Sequence, residues 1–384
     1  MENVRPSQEP VFLYPFDGRR KSLPLVGLFV LSPEVYMKLS DLNPQVAFKE
    51  KNLEPLFRRL QRLQVSAHSE KAARKVVEDL LPHLNDAPIA QTLRSALDGD
   101  EAAKARLNDL TAFDALFSGL GIETDNYNLH HWFMVLAERV STAAALDLKN
   151  GDAVGAARRI AEHPMLANLL WPEAQGAFEN GASEEQLRPL LVSLMMEATL
   201  AGIAAWDCYL GRREGTNRSF FEPLIPSARK PGRNPSSLFY DELQYRLGVK
   251  SIGAMLSSIQ GSQSSVQQWT LNRWSAGTHK PDFESVQDLL QAYGLNQPKE
   301  ILFSQLWCTR HLHLLGYLGQ YASKVARRLP DNAAIWPWPS YPHGYPNFEA
   351  WAEDRYPKWL DVVRHHADSL PTLAAETKSA SARH

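Results

Sequence analysis

The sequence predicts a mostly all-α protein: an N-terminal helical domain, a group of short helices around residue 250, and further helices at the C-terminus. Three observations lead there. Apolar residues recur at three- and four-residue spacing through most of the chain, as in Leu53, Leu56, Leu60 and Leu63, the period of a helix with one buried face. Strand-like runs are confined to the mixed first 48 residues, at Val11–Tyr14 and Val26–Leu31. Hydrophobic residues make up 44% and charged residues 22% of the chain of 384, a balance that builds a globular core and excludes a disordered chain.

Between residues 49 and 210 the spacing predicts helices around Leu53–Leu63 and at Glu70–Leu84, Ile89–Leu97, Glu101–Phe117 and Leu129–Ala145, with more across 152–170 and 184–209. Short turns such as Asp98-Gly-Asp and Asn180-Gly-Ala join them, and no fixed-period repeat supports a solenoid. The apolar run Leu190–Trp206 contains Glu197. It falls short of the roughly 20 apolar residues a membrane span needs, so a buried helix is expected and no membrane partner. The polar start of the chain does not read as a secretory signal, and Cys208 and Cys308 do not make a disulfide framework. A cytoplasmic setting is the expectation.

Prolines and glycines break the helical period over 211–236, which also carries Arg212, Arg213, Arg218, Arg229, Lys230 and Arg233. Such a segment fits two descriptions, a basic arm for phosphate contact and a solvated linker. Beyond residue 297 a long helix is expected from Lys299 to Arg328, then a Trp/Pro-rich strip, Trp336–Pro346, then a helix over Phe348–Ser369. The strip is expected to wrap its own domain, with docking of a partner as the alternative. Residues 373–384 have the composition of a disordered tail.

The group of short helices, residues 237–296, has the pattern of a helix-turn-helix. A first helix is predicted over Phe239–Leu247, ended by Gly248, and a second over Ile252–Ile259 with Ile252, Met255, Leu256 and Ile259 on one apolar face. Gln260-Gly261 makes a tight turn, and Ser262 suits the N-cap of a third helix running to Trp269. Within that helix Val266 and either Trp269 or Leu271 would turn inward, leaving Gln263, Ser264, Gln267, Gln268 and Asn272 outward. A solvated helix face is usually rich in Lys and Glu, whereas amides and hydroxyls can read base edges. Pro281 and Asp282 open a last helix whose buried stripe is Phe283, Val286, Leu289, Leu290 and Tyr293.

Ser262-Gln-Ser-Ser-Val-Gln-Gln-Trp269 and Gly277-Thr-His-Lys-Pro281-Asp-Phe-Glu-Ser-Val-Gln-Asp-Leu-Leu resemble the Cro/repressor-type (Xre-family) helix-turn-helix of bacterial and phage regulators. The resemblance covers about residues 237–296. It implies that Gln263, Ser264, Ser265 and Gln268 face bases and phosphates. Thr270–Trp274 read as an insertion between that family's Trp and its Gly, lengthening the recognition helix by a turn, and Leu256 stands where the family has a small residue. Arg229, Lys230, Arg233, Lys250, Arg273 and Lys280 are the candidate phosphate anchors. The local charge is slightly acidic, because Arg246, Lys250, Arg273 and Lys280 face Asp241, Glu242, Asp282, Glu284 and Asp288.

Other chemistry is not evident. Cys308, His311 and His313 lie near one another in sequence, with His365 and His366 as further candidate ligands, but His313 falls on a different helix face from Cys308 and His311. No metal site, catalytic residue or cofactor is predicted. His130-His131 reads as a helix boundary and surface. The functional expectation is therefore a bacterial or phage-type transcriptional regulator whose partner is double-stranded DNA. Its N-terminal domain would supply oligomerisation (a homodimer), a partner surface or an effector pocket. The alternative is a helical protein-interaction subunit of a bacterial multi-subunit assembly or defence system, consistent with a net charge of only −2.

Overall fold

Leu190–Leu210 is apolar on nearly every side, and a helix of that kind has to be enclosed by others. The computed structural model describes residues 25–40, 75, 78–79, 81, 88–103, 111–181, 184–259, 266–294, 299–327 and 344–381, and among them the fold is all-α with one two-stranded hairpin. The chain begins with β1 (Leu25–Val26), β2 (Val30–Leu31) and α1 (Pro33–Leu39), followed by α2 (Pro88–Leu97), α3 (Ala112–Gly119), α4 (Leu129–Lys149), α5 (Ala153–Ala161), α6 (Pro172–Glu179) and α7 (Glu184–Arg213). Four short helices come next: α8 (Pro235–Leu247), α9 (Ile252–Ser258), α10 (Gln268–Ser275) and α11 (Phe283–Ala292). The long α12 (Lys299–Ala326), α13 (Phe348–His366) and α14 (Leu370–Ser381) complete the fold.

The enclosed helix is α7, with α12, α13 and α4 packed around it. It is long and apolar enough to cross a membrane from Pro189 to Arg213, but 83% of its apolar window is buried inside the fold, which is the setting of a core helix. Two carboxylates on α7 hold the C-terminal half of the chain. Glu197, fully buried, accepts from the indole Nε1 of Trp351 (2.9 Å) and Trp359 (2.5 Å) and from Arg355 Nε (3.0 Å). Asp207 accepts from Tyr356 Oη (2.6 Å), Ser219 Oγ (2.5 Å) and Phe220 N (2.7 Å). Burial raises both carboxyls above their ordinary values, and these donors oppose the rise. The stretch after α7 is thereby packed along its middle, with Phe221, Leu224, Ile225 and Pro226 buried.

Several expectations are corrected. Val26–Leu31 is a tight hairpin, not one strand: Leu25 pairs with Leu31 and Val26 with Val30, around Gly27 at φ +65°. Its turn sits on α4, where Ser141 Oγ accepts from Leu28 N (2.6 Å) and Phe29 N (2.8 Å). The helix expected over Glu101–Phe117 does not run through, because Thr111 and Asp114 form a capping box that starts α3 at Ala112. Glu138 adds to that start by accepting from Ala112 N and Phe113 N. His130 and His131 do mark the start of α4, but both are buried and not on its surface. The tail expected to be disordered is helical through Ser381: Leu370 and Ala374 are buried, and Arg139 on α4 donates to Ala374 O at 2.5 Å. Leu370, Leu373, Ala374 and Thr377 have the i, i+3, i+4, i+7 spacing of one helix face. The readings at Val11–Tyr14, Leu53–Leu63, most of Glu70–Leu84 and 336–343 lie outside the described residues.

Candidate nucleic-acid interface

Local sequence signals set the ends of α8–α11. Asn234 and Ser237 cap α8 reciprocally, Pro235 occupies its first turn, and Gly248 ends it at φ +66°. Ser251 accepts from Ala254 N to start α9, and Asp282 accepts from Ser285 N (2.7 Å) to start α11. The four helices close on a small core of Leu243, Met255, Ile259, Val266, Leu271, Trp274, Val286, Leu289 and Leu290. Tyr293 Oη donates to Met255 O (2.9 Å), joining α11 to α9.

One glycine is required where α10 turns towards α11. Gly277 has φ +68°, and Asn234 Nδ2 donates to its carbonyl at 2.8 Å. A Cβ there would lie 2.1–2.5 Å from Asn234 side-chain atoms. Gly277→Ala is expected to destabilise the protein by about 1–3 kcal/mol through the left-handed backbone alone, with more from the clash. Urea denaturation checks this, and a variant as stable as the parent would contradict the Asn234 clamp.

The third helix is where sequence and structure differ most. It does not extend from Ser262 to Trp269. Val266 and Gln267 are non-helical, Gln267 is the N-cap, and α10 begins at Gln268. Thr270–Trp274, expected as an insertion, are the body of this helix. Leu271 and Trp274 point inward and are fully buried, while Trp269 is 52% exposed. The tryptophan that closes the core before Gly277 is therefore Trp274. The physical signal was present: between Ser262 and Gln268 the only apolar residue is Val266, too little for a buried stripe, whereas Leu271 and Trp274 stand three apart. The outward face of α10 carries Gln268, Trp269, Asn272 and Arg273, with Gln267 just before it, all exposed. The candidate base-reading residues Gln263, Ser264 and Ser265 lie outside the described residues.

The candidate cations divide by their surroundings. Arg233 is engaged internally, donating to Asp241 and to Ser237 O (3.0 Å). Arg229 pairs with Glu353 on α13 at 3.3 Å. Lys280 is half-buried beside Arg310, and the burial lowers its ammonium to about 8. Lys230, Lys250 and Arg273 are exposed and make no ion pair among the described residues. Among the acidic groups of the same region, Asp241 is held by Arg233, Glu242 by Arg246 (3.0 Å) and Asp282 as a helix cap, while Glu284 in the first turn of α11 is exposed. No acidic residue falls within α10.

α12 holds this region to the rest of the protein. Gln305, buried on α12, accepts from Arg246 Nε (3.0 Å) and donates to Phe220 O (2.8 Å). Ser236 Oγ and His313 Nε2 are 2.7 Å apart. His311, two residues earlier, turns to its own helix, where its Nδ1 donates to Trp307 O at 2.9 Å. His311 and His313 thus serve different parts of the core.

A second polar cluster lies where α1, α4, α7 and α12 meet. Tyr36 Oη donates to His130 Nε2 (3.0 Å), and His130 Nδ1 donates to Gly202 O (2.8 Å). Trp307 packs on His130 and His311, with ring centroids at 5.2 and 3.9 Å. Desolvation holds the imidazoles neutral, lowering His130 to about 4 and His131 and His311 to about 3. A cavity beside this cluster, lined by Tyr36, His130, Thr199, Trp307 and His311, has room for about one water at roughly 20 Å³. Comparison of the chain with family models, characterised proteins and solved structures finds no match.

Proposed function

We propose that the protein binds double-stranded DNA as a transcriptional regulator of the helix-turn-helix kind, with α10 as the helix that enters the major groove. The observation that carries this reading is the outward face of α10. Gln268, Trp269, Asn272 and Arg273 stand on an exposed helix with no carboxylate, and Gln267 stands at its N-cap. Helix-turn-helix proteins use the N-terminal part of their second helix to contact base edges. Gln268 and Asn272, one turn apart, are the amide readers in this arrangement, and Lys230 and Lys250 are the phosphate anchors. The pairing of Asp241 and Glu242 and the lack of a carboxylate on α10 lower the local negative charge in a chain of net charge −2.

Fluorescence anisotropy with mixed-sequence duplex at two salt concentrations tests the reading. Each phosphate neutralised contributes a slope of about −0.9 in log K against log salt. Lys250→Ala is expected to weaken all sequences alike and flatten the slope by about that amount. Asn272→Ala is expected to leave the slope unchanged and relax the sequence preference by about 1–3 kcal/mol at one position. Arg233→Ala is expected to loosen the start of α8 without altering the slope, because Asp241 and Ser237 occupy that guanidinium. Absence of binding at low salt would sink the proposal. It would favour the second reading, a helical protein-interaction subunit, for which Tyr245, 68% exposed on α8, is the specific surface observation.

A further inference from the structure

Three side chains at the start of α10 form a fixed unit. Trp269 Nε1 donates to Gln267 Oε1 at 2.6 Å, and the Arg273 guanidinium lies over the Trp269 ring, 5.0 Å from its centroid. All three residues are exposed, and Arg273 sits one turn beyond Trp269 on the same face. An indole N–H can only donate, so the Gln267 atom that meets it must be the carbonyl oxygen. That contact orients the amide of this exposed residue and leaves its NH2 group as the donor end. Arg273, stacked on the ring face, is braced by the cation–π contact and carries donors only. The Arg273 end therefore offers donors only, and the Gln267 end offers its NH2, with one lone pair of its oxygen taken by the indole.

We propose that Gln267, Trp269 and Arg273 act as one guanine-reading unit, in which Trp269 is the positioning residue for the other two. This rests on the reading of α10 as the groove-entering helix. In the major groove guanine presents two acceptors, N7 and O6, whereas adenine presents one acceptor and one donor. A glutamine reads adenine when both its oxygen and its nitrogen are available. With its oxygen held towards the indole, Gln267 presents its NH2 to O6 of guanine, where adenine instead places its N6 amino donor. Arg273 makes the bidentate pairing to O6 and N7 of a neighbouring guanine. The type of residue alone points to adenine, and the neighbour of that residue reverses the preference.

The test is selection from a randomised duplex library with the full chain, comparing the parent with Trp269→Phe and Trp269→Ala. The parent is expected to enrich a motif with guanine at two nearby positions, each favoured over adenine by about tenfold or more. Trp269→Phe keeps a ring beneath Arg273 and removes the N–H, freeing the Gln267 oxygen. Adenine should then be accepted within about threefold of guanine at one position while the other guanine persists. Trp269→Ala should relax both positions. Because Trp269 is exposed, thermal unfolding of both variants is expected to match the parent, so altered motifs report on recognition. A parent motif that persists unchanged in Trp269→Phe would overturn the guanine-reading unit alone. A parent that enriches no sequence would overturn both this unit and the DNA-binding reading beneath it.

Discussion

Glu197→Ala is expected to destabilise the fold by about 3–5 kcal/mol, the loss typical of breaking a buried ion pair by removing one partner. Glu197 is fully buried at the centre of α7, and its two oxygens satisfy Trp351, Trp359 and Arg355 on three successive turns of α13. Alanine would leave two indole N–H groups without an acceptor and the Arg355 side chain, only 15% exposed, without its counter-charge. Each stranded donor carries its own desolvation penalty of about 1–3 kcal/mol. Arg355 also donates to Asn168 O (2.9 Å), so the loss would spread to the turn before α6. Adding Arg355→Ala to the Glu197→Ala variant is expected to cost little further, because it removes the stranded charge. Urea denaturation of the two single variants and the double variant measures this coupling. A Glu197→Ala protein within about 1 kcal/mol of the parent would show that α13 is held by apolar packing alone.

The second large effect is a loss of stability in mild acid through the buried imidazoles. His130, His131 and His311 have folded-state values of about 4, 3 and 3, below the roughly 6.5 of an unfolded chain. The unfolded state therefore binds more protons over the window between these values, and stability falls as pH drops through 6.5 towards the folded values. From pH 7.5 to 5.5 each buried histidine removes about 1.4 kcal/mol, and the three together remove roughly 4 kcal/mol. Glu138 acts in the opposite sense, since burial raises its carboxyl to about 7 and its protonated form favours the folded state. The measurement is therefore a difference. His311→Gln should show a pH 7.5-to-5.5 loss smaller than the parent's by about 1.4 kcal/mol. An identical loss in the two proteins would mean that His311 takes up its proton in the fold over the same pH range as in the unfolded chain.

Particular residues show what could be read in the sequence. The end of α8 at Gly248, the start of α11 at Asp282 and the stripe Val286, Leu289 and Leu290 are legible because a cap or a helical period involves residues a few positions apart. The third helix was misplaced for a related reason. The Ser/Gln-rich run resembles a family pattern of residue types, but a helix in a small core forms where its apolar side chains can be buried, and that is at Leu271 and Trp274. The paired histidines before Trp132 looked polar and were assigned to the surface. In the fold, Tyr36, Trp206 and Trp307, from three distant segments, enclose His130.

The sequence by itself determined the all-α class, most helix positions, the end of α8 at Gly248 and the enclosure of α7, because each follows from short-range backbone preference and from the period of apolar side chains. Only the tertiary structure decided which polar groups are inside, that Glu197 meets Arg355 from 158 residues away, and which charges remain available around α10. These depend on which surfaces face one another after the helices pack, and a hydrogen bond or ion pair between them leaves no periodic signal along the chain.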